Sequence, residues 1–342
     1  MRSLVAFVVT FVACSPTSPG EDVTQTPDTV RIPLTQLGTG TYQGFEGGLY
    51  GGGANDPPDD HAQRGLEFAR RIQPLDTEGR PDPDGSYVLL SIGMSNATQE
   101  FCGGPPVDCS AVSFVGQSLA HDAVERTHLV IVDGAQGGET IQSWIHPSAP
   151  TFHVVRNQRL APFGLTESQV QVAWIKQANR RPANALPSPR ADAYSVAAGL
   201  ADILRALYIR YPNLQLVFLS SRIYGGYAEP GTLNPEPYAY ESGFGVKWVI
   251  EEQIRQARGE PATPVMGDLR PGIAAPWIGW GPYLWANGET PRADGLVWRR
   301  EDFIADATHP APSARRKVGT LLLDFFRTSP LTSCWFLEGH SC

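Results

Sequence analysis

The feature that most limits the folds open to this chain is a set of short apolar runs without a regular polar alternation. They are Tyr87–Ile92, His128–Val132, Gln169–Ile175 and Gln215–Ser220. A strand that is apolar on both faces is buried on both faces, which is typical of parallel sheets covered by helices. We therefore expect these four runs to lie side by side in a buried parallel sheet.

Helical patterns alternate with these runs along the chain. The clearest is Ala191–Tyr211, which has apolar residues at spacings of three and four and ends before Pro212. The others are His61–Ile72, Gly245–Arg258 and Ser313–Arg327, the last with Ser313 as its expected N-cap. Alternating strands and helices predict an α/β fold with a doubly wound parallel sheet. Ligands of such sheets bind beyond the carboxyl ends of the strands, so the functional motifs are expected just after the strands.

A serine lies three residues after the end of the first predicted strand. Ser95 lies in the segment Ser91-Ile92-Gly93-Met94-Ser95-Asn96. Gly93 permits a sharp turn, and such a turn can lift a hydroxyl above the edge of the sheet. The alternative is a serine that caps a helix or closes a turn.

An acid and a histidine lie close together before the last predicted helix. Asp306 and His309 are three residues apart, and Pro310 follows them. This spacing lets a carboxylate hold one imidazole nitrogen while the other takes a proton from a hydroxyl. The alternative is a surface turn whose aspartate caps a helix.

Two further segments can supply hydrogen-bond donors to a developing negative charge. Asp133–Thr140 is Gly-rich and follows the second predicted strand, so it can expose backbone N–H groups. Lys176–Asn179 follows the third strand and offers a side-chain amide. The alternatives are a tight turn in the first segment and a loop bend in the second.

These segments occur in the order Ser, Gly, Asn and Asp-x-x-His, and in this order the chain resembles the SGNH (GDSL-like) hydrolase superfamily over about residues 85–327. Four sequence blocks carry the resemblance, and they are Gly93-Met94-Ser95-Asn96, Gly138-Glu139-Thr140, Gln177-Ala178-Asn179 and Asp306-Ala307-Thr308-His309-Pro310. In the first block, Met94 and Asn96 stand where the family usually has Asp and Leu. In the third, Gln177 and Arg180 replace the usual Gly and Asp.

The resemblance implies a flavodoxin-like, three-layer α/β/α fold and a serine esterase that cleaves carboxylic esters through an acyl-enzyme. Ser95 would be the nucleophile, His309 the general base and Asp306 the residue that orients it. The backbone N–H groups of Ser95 and Gly138, with the Asn179 amide, would form the oxyanion hole. This chemistry implies no metal and no organic cofactor.

Aromatic residues crowd the chain before the Asp-His segment and after the fourth predicted strand. Tyr224, Trp280, Tyr283 and Trp285 are candidate substrate-binding residues, because aromatic rings stack on sugars. Packing within the core explains them equally well. The predicted substrate is therefore a small-molecule ester or an ester of a glycan.

The cysteines indicate an oxidising, extracytoplasmic compartment. Cys102 with Cys109, and Cys334 with Cys342, form two locally spaced pairs that can close disulfides. The remaining Cys14 follows the short apolar run Leu4–Ala13, in a pattern that resembles a bacterial lipobox. We expect a signal peptide over residues 1–14, lipidation of Cys14, and a membrane-anchored lipoprotein of the cell envelope.

The rest of the chain is predicted to form a flexible linker followed by one domain. Residues 15–30 are rich in Ser, Thr and Pro and predict a flexible linker. Residues 31–342 are expected to form a single domain, with an N-terminal extension at 31–85, a catalytic core at 86–327 and a tail at 328–342. The formal net charge of −8 and the lack of a basic run argue against a nucleic-acid partner. The sequence does not indicate an oligomeric state.

Two other functions are compatible with the same sequence. An acyltransferase on this scaffold would pass the acyl group to a sugar hydroxyl instead of water. A non-catalytic, glycan-binding envelope lipoprotein would retain the fold without the chemistry. The catalytic reading requires Ser95 and His309 to be in contact and hydrogen-bond donors to face Ser95.

Overall fold

The computed structural model describes residues 31–105, 107–340 and 342. The predicted lipidation at Cys14 and the predicted linker at 15–30 lie outside these residues. The strands are β1 (Thr41–Tyr42), β2 (Phe45–Glu46), β3 (Tyr87–Gly93), β4 (Leu129–Asp133), β5 (Val170–Lys176), β6 (Leu216–Ser220) and β7 (Trp277–Trp280). The α-helices are α1 (Leu34–Leu37), α2 (Asp59–Ala69), α3 (Ser95–Phe101), α4 (Phe114–Leu119), α5 (Pro150–Val154), α6 (Asp192–Arg210), α7 (Tyr238–Ala257), α8 (Pro312–Thr328) and α9 (Ser333–Phe336).

The centre of the fold is a five-stranded sheet in which all neighbouring strands are parallel. Its spatial order is β4-β3-β5-β6-β7. Numbered along the chain within this sheet, the order is 2-1-3-4-5, which is the flavodoxin-like arrangement. The prediction of a doubly wound parallel sheet is therefore confirmed. Every residue of β3, β5, β6 and β7 is buried, as their apolar character on both faces requires.

Alternate side chains of each strand pack into separate cores on the two faces of the sheet. Leu90 and Ile175 belong to the core that α6 and α7 cover. Leu89 and Trp174 belong to the core that α3, α4 and α8 cover. Because neighbouring residues of a strand point to opposite faces, the protein has three layers, with helices on both sides of the sheet.

Several elements differ from the prediction, among them α2, which spans Asp59–Ala69 where His61–Ile72 was expected. The structure has a strand at β7, which the sequence analysis treated only as an aromatic segment. The strand was not predicted because Gly279 interrupts its apolar run. Helix α7 starts at Tyr238, seven residues before the predicted Gly245. The prediction that Ser313 caps the last long helix is wrong: Ala311 is the N-cap and Pro312 opens α8. Proline has its φ preset for the first helical position, so it begins the helix one residue earlier.

Residues 31–85 include a segment that packs against α7 and the loop after β7. The buried Leu34 donates its N–H to the Tyr283 hydroxyl at 3.3 Å. The Tyr42 hydroxyl donates to Oε1 of Glu241 at 3.0 Å. These contacts extend the layer that contains α6 and α7.

Both predicted cysteine pairs form disulfides in the structure. Cys102 is bonded to Cys109, and Cys334 is bonded to Cys342. Disulfides of this kind persist in oxidising compartments. Among the described helices, none combines the length and the apolar character needed to cross a membrane.

Candidate active site

The local backbone at the end of β3 places Ser95 at the edge of the sheet. The chain leaves β3 at Gly93, and Ser95 is the first residue of α3. A Cβ on Gly93 would lie 2.4 Å from the Cβ of Ala97 and 2.6 Å from the carbonyl oxygen of Lys176. Only glycine fits there, so Gly93 permits the close strand-to-helix turn that carries Ser95.

The three predicted triad residues come together in one hydrogen-bonded chain. The Oγ of Ser95 lies 2.8 Å from Nε2 of His309, across 214 residues of sequence. The Nδ1 of His309 lies 2.5 Å from Oδ2 of Asp306. When Asp306 is ionised, Nδ1 carries the proton and donates it, which leaves Nε2 free to accept from the Ser95 hydroxyl.

The carboxylate of Asp306 is held by its own loop. Its Oδ1 accepts the backbone N–H of Thr308 at 3.0 Å and that of His309 at 2.9 Å. Partial burial acts to raise the pKa of Asp306, but these two N–H groups and the imidazole hold that pKa below its usual value. Asp306 is therefore ionised at neutral pH and fixes the His309 tautomer.

Asn96 is a positioning residue that the sequence analysis noted only as a departure from the usual block. Its Nδ2 donates to the carbonyl oxygen of Thr308 at 3.0 Å, and the side chain is buried. Because Asn96 follows Ser95 and Thr308 precedes His309, this bond ties the two halves of the site together. Its position beside the serine was the available signal.

The Gly-rich turn after β4 packs against the same strand end. The Gln136 N–H donates to the carbonyl oxygen of Gly93 at 3.0 Å, and Gly138 has φ +84°, which favours glycine. Within the described residues, neither the N–H of Ser95 nor that of Gly138 donates to a protein acceptor. Both groups are therefore available to a bound oxygen atom.

A cavity of about 100 Å³ opens where these segments meet. Ser95, Gly138 and Asn179 all line it, and they come from the ends of β3, β4 and β5. The cavity thus contains the three residues predicted to form the oxyanion hole. Arg222, two residues after β6, also lines it, and the sequence analysis did not identify this residue.

The amide of Asn179 has other partners in this structure. Its Nδ2 donates to Oδ1 of Asp192 at 2.8 Å and to Oγ of Ser195 at 2.5 Å. The Asn179 side chain borders the cavity with its donors directed towards α6. Its part in an oxyanion hole stays a prediction.

The four candidate aromatic residues lie outside the cavity at Ser95. Trp280 and Tyr283 are buried and line a separate cavity of about 790 Å³. Trp285 is fully buried and donates its Nε1–H to Glu236, and Tyr224 packs edge-on against Tyr227. These contacts fit the packing alternative, and substrate binding by the four residues stays a prediction.

A buried carboxyl group joins the Gly-rich turn to α3. Asp133 accepts the hydroxyl of Ser91 at 2.5 Å and that of Thr98, which lies on α3. It also accepts the backbone N–H of Ala135 at 3.2 Å. Burial raises the pKa of Asp133 to about 6, although the two hydroxyls oppose the rise.

This raised pKa predicts a specific pH dependence of stability. The folded protein binds the Asp133 proton more tightly than the unfolded chain, so the stabilisation is complete below about pH 4 and is lost as pH rises through about 6. Relative to Asp133→Asn, the free energy of unfolding of the wild type should fall by about 2 to 3 kcal/mol across that interval. Urea denaturation at several pH values measures this difference. Parallel curves for the two proteins would contradict it.

Among the described residues, no group of three or more His, Cys, Asp or Glu side chains is arranged to hold a metal ion. The structure thus combines an α/β/α fold with a Ser–His–Asp arrangement at the carboxyl ends of its parallel strands.

No family model matches the chain, and no curated protein matches it in sequence. Solved structures similar to it include an extracellular lipase from Streptomyces rimosus, at 13% identity over 70% of this chain and 98% of that one, with a TM-score of 0.32. A putative GDSL-like lipase from Parabacteroides merdae is 11% identical over 74% and 97%, with a TM-score of 0.36. A carbohydrate esterase family 2 enzyme with a carbohydrate-binding domain, from Myceliophthora fergusii, is 10% identical over 71% and 66%, with a TM-score of 0.37.

Proposed function

We propose that this protein is an ester hydrolase in which Ser95 is the nucleophile, His309 the general base and Asp306 the residue that orients the histidine. The observation that carries the proposal is the continuous hydrogen-bonded chain from Ser95 Oγ through the imidazole to Asp306, with links of 2.8 and 2.5 Å. A surface serine or a helix-capping aspartate has no need of this arrangement.

The first half of the reaction forms an acyl-enzyme. Ser95 Oγ attacks the carbonyl carbon of the ester while its proton moves to Nε2 of His309. The N–H groups of Ser95 and Gly138 bind the tetrahedral oxyanion, each donor contributing about 3 kcal/mol to the barrier reduction. His309 then gives the proton to the leaving alcohol oxygen as the ester C–O bond breaks.

The second half returns the enzyme to its starting state. Water attacks the acyl carbon, gives a proton to His309, and the bond from the acyl carbon to Ser95 Oγ breaks. The carboxylic acid leaves, and His309 returns the proton to Ser95. An acyltransferase would differ only in this half, where a sugar hydroxyl replaces the water.

The proposed substrates are esters with a short acyl group, including O-acyl groups on carbohydrates. A cavity of about 100 Å³ suits an acyl chain of a few carbon atoms better than a fatty acyl chain. The glycan part of the proposal depends on the expected envelope location and on the aromatic content of the chain.

We propose an extracytoplasmic location for the protein, with Cys14 as a lipid anchor. The two disulfides and the lipobox-like pattern before Cys14 support this location. Mass spectrometry of the mature N-terminus tests the anchor, and a mature chain that does not begin at a lipid-modified Cys14 contradicts it.

The proposed chemistry is tested by labelling the purified protein with a fluorophosphonate while its hydrolysis of 4-nitrophenyl acetate and of acetylated xylan is followed. We expect one adduct on Ser95 and a loss of hydrolysis in proportion to labelling, because the activated hydroxyl displaces fluoride.

Ser313→Ala is the control, since Ser313 is an exposed serine at the start of α8. Hydrolysis that persists after Ser95 is fully labelled would identify another nucleophile. A folded protein that neither reacts nor hydrolyses either ester would favour the glycan-binding alternative. Acetyl transfer to a sugar without release of acetate would identify a transferase.

A further inference from the structure

The cavity at Ser95 contains a buried cation that the proposed chemistry does not use. Arg222 is 3% exposed and lines this cavity together with Ser95. Burial lowers the pKa of Arg222 to about 10, so the guanidinium is still charged at neutral pH. A buried charge normally has a partner, because desolvation without one is costly.

Arg222 has no such partner among the described residues. Its Nε is buried without an acceptor, and its Nη1 lies 3.7 Å from the sulfur of Met94, a weak acceptor. No described carboxylate lies within 4.0 Å of the guanidinium as an ion pair. The guanidinium is therefore a strong donor group that the protein itself leaves unsatisfied.

The two carboxylates whose charge acts on the pKa of Arg222, those of Glu100 and Glu236, are occupied by other donors. Glu100 binds Nζ of Lys176 through both of its oxygens, at 2.6 and 2.5 Å. Glu236 accepts Nε1–H of Trp285 at 2.7 Å and the backbone N–H groups of Gly225 and Tyr240. Neither carboxylate is free to turn towards Arg222.

The rest of the cavity is also suited to an anion. Its charged lining residues are Arg222 and the exposed Arg180, with no acidic side chain among them. This is notable in a chain whose formal net charge is −8. Asn234 lines the cavity as well, and its buried side-chain oxygen has no partner, so the amide can be turned to donate.

We infer that Arg222 binds a carboxylate of the substrate, so that the preferred ester carries a negative charge close to the scissile bond. Met94 contacts Arg222 and precedes Ser95, which places the guanidinium one side chain away from the nucleophile. A planar guanidinium binds a carboxylate through paired, charge-assisted hydrogen bonds. This inference rests on the proposed ester hydrolysis and specifies its substrate class.

The test compares matched anionic and neutral esters with the purified protein in a pH-stat. Monoethyl succinate against ethyl butyrate places the charge on the acyl side. The pair 2-acetoxypropanoate and 2-acetoxypropanamide places it on the alcohol side. For one of these pairs, we expect the anionic ester to have a kcat/KM about 10- to 100-fold higher, as for a hydrogen bond to a charged group.

The variant Arg222→Met should remove this preference while hydrolysis of the neutral ester changes by less than about threefold. Arg180→Gln is the control for the exposed charge at the cavity, and it should retain most of the preference. Since Arg222 has no partner to lose, Arg222→Met should also unfold at the same or a higher urea concentration than the wild type.

Three results would overturn the inference. The first is hydrolysis of neutral esters by the wild type with no preference for either anionic ester. The second is an equal loss on anionic and neutral esters in Arg222→Met, which would assign Arg222 to the transition state. The third is a large loss of stability in that variant. Absence of any hydrolysis by the folded wild type would instead contradict the proposed function.

Discussion

Ser95→Ala and His309→Gln are each expected to lower kcat for 4-nitrophenyl acetate by about 10⁴- to 10⁶-fold, or to the uncatalysed rate, and the double variant by no more than either one. The reason is the shared proton between Ser95 Oγ and His309 Nε2, 2.8 Å apart. Without the imidazole the hydroxyl stays protonated and unreactive, and without the hydroxyl the imidazole has nothing to activate. The two losses therefore cannot add.

Steady-state kinetics on the four proteins of this cycle measures the effect. His146→Gln is the matched control, because His146 is an exposed histidine that does not line the cavity at Ser95, so the variant should keep kcat within about twofold. Circular dichroism of each variant excludes unfolding as the cause. Losses that multiply in the double variant would mean that Ser95 and His309 act independently. Near-normal activity in Ser95→Ala would remove Ser95 from the mechanism.

The fold was predictable because its signals are local and repeated. Each of the four predicted strands is a short, mainly apolar run, and each lies within one residue of its observed position at either end. β7 was missed because a four-residue segment with two tryptophans and a glycine has no strand periodicity. Its identity as a strand depends on pairing with β6, which a sequence window does not contain.

The site was predictable only in its ordered blocks. Ser95, Gly138, Asp306 and His309 each sit in a short motif, and their order along the chain indicated a common site. Arg222 has no motif around it. It lies at the site because β6 is next to β5 in the sheet, and it is unpartnered because Glu100 and Glu236 bind other groups. Such facts come from tertiary packing and not from spacing.

Glu100→Gln is expected to lower the free energy of unfolding by about 3 to 5 kcal/mol, the usual cost of breaking a buried ion pair on one side. Glu100 on α3 and Lys176 at the end of β5 are both fully buried and joined at 2.5 Å. Arg222 is near enough to Glu100 for the carboxylate to act on its pKa, opposing the lowering by burial. Glu100 therefore acts on both buried cations, whereas Glu236 acts on Arg222 and not on Lys176.

The net charge of Glu100, Lys176 and Arg222 predicts the order of the variants in free energy of unfolding. The wild type carries a net charge of about +1 in this buried group, Glu100→Gln about +2, and Lys176→Met about 0. Lys176→Met should accordingly lower the free energy of unfolding by less than Glu100→Gln, since Arg222 can then neutralise the charge of Glu100. The double variant Glu100→Leu with Lys176→Met restores the wild-type charge and should come within about 2 kcal/mol of it.

Urea denaturation measures this ranking, and Asp268→Asn is the control. Asp268 forms an exposed ion pair with Arg270, so its loss should cost at most about 1 kcal/mol. A smaller cost for Glu100→Gln than for Lys176→Met would contradict the charge count.

The pH dependence gives a second check on the same variant. Burial lowers the pKa of Lys176 to about 8, although Glu100 opposes the shift. Without Glu100 that pKa falls further. At high pH Lys176 then loses its proton, which removes part of the cost of burying an unpaired positive charge. A base whose pKa is lower in the folded state destabilises the fold as pH falls, so Glu100→Gln should cost more near about pH 6 than near about pH 9. An equal cost at both would mean that Lys176 stays charged and that the pair is solvated when it is broken. Glu100 forms its ion pair with Lys176, so the second buried cation, Arg222, has no ion-pair partner beside Ser95. This is the position where we propose that the substrate carboxylate binds.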